Sequence, residues 1–203
     1  MRGGWTDWLE SGRDQDRGEL RTRLRYEWRG QSLVGNYQWV HSRDNTDGPF
    51  SYVAHYNDIR AEWGRTTGLP VHNFSLVGNL NLPRSISLTI VGSAHSASPY
   101  NIITGKDANE DGLFNDRGVL RRNSGRGPDY GMVSVYWSRR VALGRFLGNR
   151  DKRPGGYIGL QIDNLLGRKN YLMVDPVESS PYFGHPLAAL PGRSIRLSLN
   201  LGK

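Results

Sequence analysis

The chain has 203 residues, a formal net charge of +8 and 36% hydrophobic residues, and it is rich in Gly (26), Tyr (10) and Trp (6). The length is sufficient for one domain, the composition favours strands and turns over helices, and the absence of cysteine excludes disulfides and thiol chemistry. No apolar run approaches a membrane-spanning helix and residues 1–7 lack the apolar segment of a signal peptide, so we expect a soluble protein or part of a longer chain targeted by a sequence elsewhere.

Seven segments alternate apolar and polar residues, which predicts seven strands. In chain order these segments are 20–28, 32–42, 72–82, 85–96, 130–138, 157–164 and 195–201. Residues 1–19 show no period, and we expect a loop there or the stub of an earlier strand. The chain therefore divides into residues 1–19 and a β-segment over 20–203.

The connections between these strands alternate in length. Short turns separate the first from the second strand and the third from the fourth, and long polar stretches occupy 43–71, 97–129 and 165–192. A basic connection of medium length, 139–155, joins the fifth strand to the sixth. In outer-membrane barrels, short turns face the periplasm and long loops face outside, and single-chain barrels close with eight strands or a larger even number. A nine-residue strand rises about 30 Å, and a tilt of roughly 40° brings its height near the ~25 Å apolar band of such barrels. The sequence thus predicts an all-β, antiparallel up-and-down meander of about seven strands, a partial transmembrane β-barrel with a periplasmic C-terminus.

The two predicted faces of this sheet differ in chemistry. Aromatic residues near strand ends on the apolar side would form a lipid-facing girdle: Trp28, Trp39, Phe74 and Trp137. The opposite side would face a watery lumen, because a dry core would not accept its polar side chains unpaired: Arg21, Arg23, Arg25, Asn79, Asn81 and Arg196. The alternative is a two-layer soluble sheet with its polar face in solvent.

The connection between the fourth and fifth strands carries a candidate calcium loop. Three oxygen-bearing side chains stand at alternate positions before Gly112, a spacing that lets one tight turn point them at a hard cation. The candidate ligands are Asp107, Asn109, Asp111, Asn115 and Asp116. The twelfth position, where an EF-hand has Glu, is Gly118, so the loop is not an EF-hand. Alternatively, the same side chains form hydrogen-bonded turns with the backbone.

This loop also resembles a known family. Its sequence SPYNIITGKDANEDGLFNDR at 98–117 is similar to the late extracellular loop of TonB-dependent outer-membrane receptors, especially the Oar-like subgroup. Later segments resemble the family in the same order, namely NLLGRKNY at 164–171, SPYFG at 180–184 and PGRSI at 191–195. Residues 56–64 and 72–74 fit the family's preceding loop and strand, so the resemblance covers roughly 20–201.

The resemblance implies a barrel of about twenty-two strands around a plug, of which this chain would supply the last third of the wall. It also implies energy-coupled uptake of a ligand across the outer membrane. The expected partners are outer-membrane lipid, the remainder of the barrel and its plug, an unknown extracellular ligand, and the TonB complex through an N-terminal part that this sequence lacks.

Motifs for other functions are missing from the sequence. The five histidines form no His-x-x-x-His pair, and neither a Gly-x-Ser-x-Gly elbow nor a Walker lysine occurs, so we expect no catalysis. Arginines and aromatic residues of the first strand lie on opposite faces, which argues against stacking of nucleic acid bases beside them. The alternative function is a soluble antiparallel β-domain that binds carbohydrate or polyanion through its loops.

Overall fold

The structure is a computed structural model that describes residues 14–48, 51–55, 58–142 and 155–201. These residues form strands and no helix, which confirms the all-β prediction. In chain order, the strands are β1 (Gln15–Trp28), β2 (Gln31–Asp44), β3 (Gly64–Arg65), β4 (His72–Leu82), β5 (Ile86–His95), β6 (Pro99–Tyr100), β7 (Gly125–Arg126), β8 (Tyr130–Ala142), β9 (Gly155–Asp163), β10 (Tyr171–Val174), β11 (Pro186–Ala189) and β12 (Ser194–Leu201). The described residues contain no helix long and apolar enough to cross a membrane.

Seven long strands form the predicted meander. They pair antiparallel in the order β1-β2-β4-β5-β8-β9-β12, and short β3 extends the same sheet beside β2. Strands β1 and β12 lie at the two edges, so the described part of the chain does not close into a barrel. Two small sheets, β6 with β7 and β10 with β11, lie in the long connections. These short strands were not predicted from the sequence.

Strand β1 begins earlier than the sequence predicts. Residues 15–19 were expected in a loop or stub, but they pair with residues 40–44 of β2. Gln15, Asp16 and Arg17 are all polar, so the two-residue period that reveals a half-buried strand is absent here. The part of the prediction that concerns residues 1–13 lies outside the described residues.

The sheet has a turn end and a loop end. Arg29 and Gly30 join β1 to β2 with φ angles of 46° and 78°, the left-handed backbone that a two-residue hairpin turn needs. Three residues, 83–85, join β4 to β5 at the same end. The connections β2–β4, β5–β8 and β9–β12 are long and all lie at the opposite end, because consecutive strands are antiparallel.

The strand register places most apolar side chains on one face of the sheet and most polar side chains on the other. Directly opposed residues share a face, as in the apolar row Leu24, Gly35, Leu76, Gly92 and Val133. The adjacent row, on the other face, is polar except at its last position and consists of Arg23, Asn36, Ser75, Ser93 and Met132. The register agrees with the predicted division of side chains between two faces, and the assignment of one face to lipid and the other to a lumen stays a prediction.

The sheet is a single layer without a hydrophobic core of its own. Among the described residues, Val40 and Ala54 are the only buried hydrophobic ones, each 2% exposed. Most buried residues outside the sheet are polar or charged and lie in the long connections: Asn45, Glu62, Asp116, Arg117, Arg122, Asn123, Asn164, Asn170 and Asp175. The best-packed part of the described structure is thus at the loop end.

Candidate functional site

The three long connections pack against each other in what we call the loop layer, formed by the described residues of 45–71, 96–129 and 164–193. The N–H of Ile103 donates to the carbonyl of Pro176 (2.9 Å), which joins the β5–β8 connection to the β9–β12 connection. The side-chain amide of Asn109 donates to the carbonyl of Ala54 (3.1 Å), which joins the β5–β8 to the β2–β4 connection. The loop layer is therefore an ordered surface held by polar contacts.

A buried ion pair lies in the loop layer. The guanidinium of Arg117 donates to Glu62 Oε1 at 2.7 Å, and the two side chains are 3% and 1% exposed. The same oxygen accepts from the N–H of His55 (2.9 Å) and lies 3.1 Å from His55 Nδ1. Burial raises the pKa of Glu62, but the hydrogen bond and charge of Arg117, together with the hydrogen bonds of His55, outweigh burial, and the pKa lies below its usual value. Glu62 is therefore held as a carboxylate.

A second buried arginine ties the β5–β8 connection to the end of β2. Arg122 donates to the carbonyl of Asp44 (2.8 Å) and to the carboxylates of Asp44 and Asp47. Thr66 Oγ1 donates to the second oxygen of Asp44 at 2.7 Å. A Cβ added to Gly64 would lie 2.5 Å from the carbonyl oxygen of Arg122, so this close approach requires glycine.

A basic pocket of about 360 Å³ opens beside Arg122. Trp63 and Asn123 form part of its wall, and the remaining charged side chains that line it are Arg43, Arg65, Arg121 and Arg126. Its volume is within the ordinary range for small-molecule sites. Sequence reasoning missed this site, although the dense basic run from 121 to 126 was a local signal for part of it.

The predicted calcium ligands lie together in one loop. Asp107 accepts hydrogen bonds from the N–H groups of Asp111 (3.1 Å) and Gly112 (2.9 Å). Asn109 Oδ1 accepts from the N–H of Asp111 (3.2 Å), and its amide donates to Asp111 Oδ2 (3.0 Å). These contacts are the backbone turns that the sequence left open as the alternative to a metal site.

The last two candidate ligands behave differently from each other. Asp116 accepts from the N–H groups of Ala108 (2.6 Å) and Asn109 (3.3 Å). Asn115 donates to the carbonyl of Tyr52 (3.5 Å), and its buried Oδ1 has no hydrogen-bond partner among the described residues, which is compatible with a bound cation. The described residues contain no group of three or more His, Asp or Glu arranged to hold a metal. Calcium binding stays a prediction.

The predicted girdle residues all lie on the apolar face, in two rows. Trp39 and Phe74 are near the loop end, whereas Trp28 and Trp137 are near the turn end. Trp28 and Phe74 are exposed, and Trp39 and Trp137 are half-buried. Contact of these rows with a bilayer stays a prediction.

The predicted lumen residues all lie on the polar face, but they do not converge on one site. Arg21 and Arg23 line a groove of about 550 Å³ that also includes Tyr130. The others make separate contacts along the sheet, Arg25 with Glu27 (2.9 Å), Asn79 with Thr89 (2.9 Å), Asn81 with Gly30 (2.9 Å) and Arg196 with Gln161 (3.4 Å). These residues therefore form a hydrogen-bonded polar surface.

Fold and site together define an all-β protein with an amphipathic single-layer sheet and an ordered loop layer at one end of its strands. In comparisons with known proteins, the chain matches no family model, no curated protein and no solved structure.

Proposed function

We propose that the chain forms part of the wall of an outer-membrane β-barrel receptor of the TonB-dependent type, which takes up an external ligand. The observation that carries this proposal is the uncovered apolar face of the sheet. Its exposed large side chains are Leu20, Leu24, Tyr26, Trp28, Leu33, Tyr37, Phe74, Leu82, Ile195, Leu197 and Leu199. Soluble monomers rarely expose a contiguous apolar patch larger than a few hundred Å². Hydrocarbon would cover such a face without a second protein layer.

The spacing of the aromatic rows supports a bilayer as the cover. Leu20 lies opposite Trp39, and Trp28 stands eight residues further along the same strand. That distance is about 26 Å along the strand and about 20 Å across a bilayer at a tilt of roughly 40°. The rows would therefore meet the two headgroup regions, where tryptophan is favoured.

The remaining features fit the same arrangement. The loop layer would face outside and the turn end the periplasm, while the polar face would meet a watery lumen. Edge strands β1 and β12 would pair with further strands, because unpaired backbone groups in lipid cost several kcal/mol each. The TonB complex, the plug and energy coupling enter this proposal through the sequence resemblance alone.

Vesicle flotation tests whether the chain binds to a membrane. The 203-residue chain is diluted from urea into buffer with or without phosphatidylcholine vesicles and then centrifuged on a density gradient. We expect the chain to bind the vesicles and float with them. A folded monomer that stays in the aqueous phase without detergent would refute the proposal.

A fluorescence experiment tests the orientation. Two variants keep one tryptophan each: Trp28, on the apolar face, or Trp63, in the loop layer. Lipids with brominated chains should quench the fluorescence of Trp28 and leave that of Trp63 unchanged, because only Trp28 would lie at the bilayer. Equal quenching of both would contradict the assignment of the faces.

The basic pocket favours a second candidate, a soluble antiparallel β-domain that binds a polyanion through its loops. Its arginine-rich lining lies in the loop layer and does not require a membrane. The same flotation experiment separates the two candidates, since the soluble domain would remain folded and monomeric in buffer.

A further inference from the structure

Five arginines line the basic pocket of the loop layer, and among the described residues no carboxylate lines it. Charge of one sign is concentrated in a concave site, which raises the local concentration of oppositely charged ligands. Trp63 adds an aromatic wall, 37% exposed.

Only one of the five has its charge matched by the described residues. Arg122 is buried and pairs with Asp44 and Asp47. The other four form no ion pair with the described residues, namely Arg43, Arg65, Arg121 and Arg126. Asp16 stands opposite Arg43 on β1, yet no ion pair joins them. The pocket therefore carries an excess of positive charge.

The backbone holds two of these unpaired arginines side by side. Strand β3 pairs with β2 so that Arg65 lies directly opposite Arg43. Like charges at directly opposed positions destabilise a sheet, and Asp16, which stands on the other side of Arg43 without forming an ion pair, offsets only part of this repulsion. A bound anion between the two guanidinium groups would remove that repulsion.

The other side of the pocket is fixed by a buried amide. Asn123 is 2% exposed, and its side chain donates to Thr67 Oγ1 (2.8 Å) and to the carbonyl of Arg65. Its own N–H donates to Asn101 Oδ1 at 2.7 Å. The turn that carries Arg121 is thereby attached to β3, so the arginines of two connections are held close before any ligand arrives.

We infer that this pocket binds a small multivalent oxyanion, a phosphate ester or a polycarboxylate, through the guanidinium groups of Arg43, Arg65, Arg121 and Arg126. Guanidinium donors match the geometry of both oxyanions, which accept paired N–H bonds. This inference names the ligand class of the proposed receptor but does not require a membrane location, which the flotation experiment tests separately.

Isothermal titration calorimetry tests the inference on the 203-residue chain, in detergent micelles or in buffer, whichever keeps it folded. The probes are pyrophosphate and citrate, which distinguish phosphate from carboxylate ligands, with uncharged glycerol as the blank. We expect at least one of the anions to bind, with an affinity that falls as salt is added. Arg65→Gln and Arg126→Gln should each weaken binding at least about tenfold, since a hydrogen bond to a charged group is lost.

Matched variants guard against loss of fold and nonspecific charge effects. Arg193→Gln removes the same charge from another exposed loop residue and should change affinity less than about twofold, because exposed charges are screened. Arg65→Lys keeps the charge but not the paired donors, and it should bind with intermediate affinity. No binding of either anion to the unmodified chain would overturn the inference. So would equal weakening by Arg193→Gln and Arg65→Gln.

Discussion

Two neighbouring residues of β4 provide the sharpest test of the membrane proposal. Leu76 lies on the apolar face between Gly35 and Gly92, whereas Val77 lies on the polar face between Val34 and Val91. Both side chains are aliphatic and half-buried. Arginine at each position therefore adds the same charge to the same strand, and only the face differs.

The expected cost follows from the position of Leu76 between the aromatic rows. Its row includes Leu24, which stands four residues from Leu20 and four from Trp28 on β1. Four residues correspond to about 13 Å along a strand and about 10 Å of depth at a tilt of roughly 40°. Leu76→Arg would place its charge near the bilayer midplane, at a cost of about 2–4 kcal/mol. Val77→Arg would meet water, and we expect it to cost less than about 1 kcal/mol.

Urea unfolding of the vesicle-bound chain, followed by tryptophan fluorescence, measures both free energies. We expect Leu76→Arg to lower the free energy of unfolding by at least about 1.5 kcal/mol more than Val77→Arg does. Equal losses would refute the assignment of the apolar face to lipid, because a face exposed to water has little reason to reject a charge. A larger loss for Val77→Arg would mean that the polar face is the packed one.

Further predictions concern the loop layer. Arg117→Met leaves the buried Glu62 carboxylate without its guanidinium partner, with only the contacts of His55, and should lower the free energy of unfolding in denaturant by about 3–5 kcal/mol. An unchanged free energy of unfolding would mean that the pair is not buried in the protein. Because the folded-state pKa of Glu62 is lowered, the carboxylate stabilises the fold at neutral pH, and this stabilisation is lost as pH falls through that pKa. In Glu62→Gln, the free energy of unfolding should therefore fall less steeply on acidification. Gly64→Ala should lower the free energy of unfolding by about 1–3 kcal/mol, because it forces a Cβ against the carbonyl of Arg122. An unchanged midpoint of denaturant unfolding would argue against the close approach. Calorimetry with calcium should give heat that Asp111→Ala abolishes, and no heat with the unmodified chain would remove the metal site.

The strands could be predicted because their signal is local. Residues 72–82 alternate apolar and polar side chains, and β4 spans His72–Leu82. The pairing of β1 with β2 and of β4 with β5 then followed from their short turns, which force neighbouring strands to pair. The pairings across the long connections followed from the up-and-down order expected of an outer-membrane barrel. The early start of β1 could not be predicted, because Gln15–Glu19 contain no apolar residue to mark a face.

The loop layer could not be predicted because its contacts are distant in sequence and carry no period. Glu62 and Arg117 are 55 residues apart, and Asp44 and Arg122 are 78 apart. Each is one polar residue among many in its loop, and nothing local selects its partner. The run DANEDG at 107–112 was recognised because its pattern is local, but a local pattern does not distinguish a metal site from backbone turns.

A soluble β-domain buries its apolar side chains and exposes its polar ones, whereas this protein shows the reverse distribution. We therefore expect acidification and removal of lipid to destabilise different parts of the protein. Buried polar groups are concentrated in the loop layer, whereas large apolar side chains such as Leu24 and Leu197 lie uncovered on the sheet, 73% and 74% exposed. Acid should therefore weaken the loop layer through Glu62, while removal of lipid should weaken the sheet. The arginine pocket is built on β3 and on the turn around Asn123, so its affinity for anions should follow the loop layer. Anion binding that is lost on acidification while the strands stay folded in lipid would agree with this division, and simultaneous loss of both would contradict it.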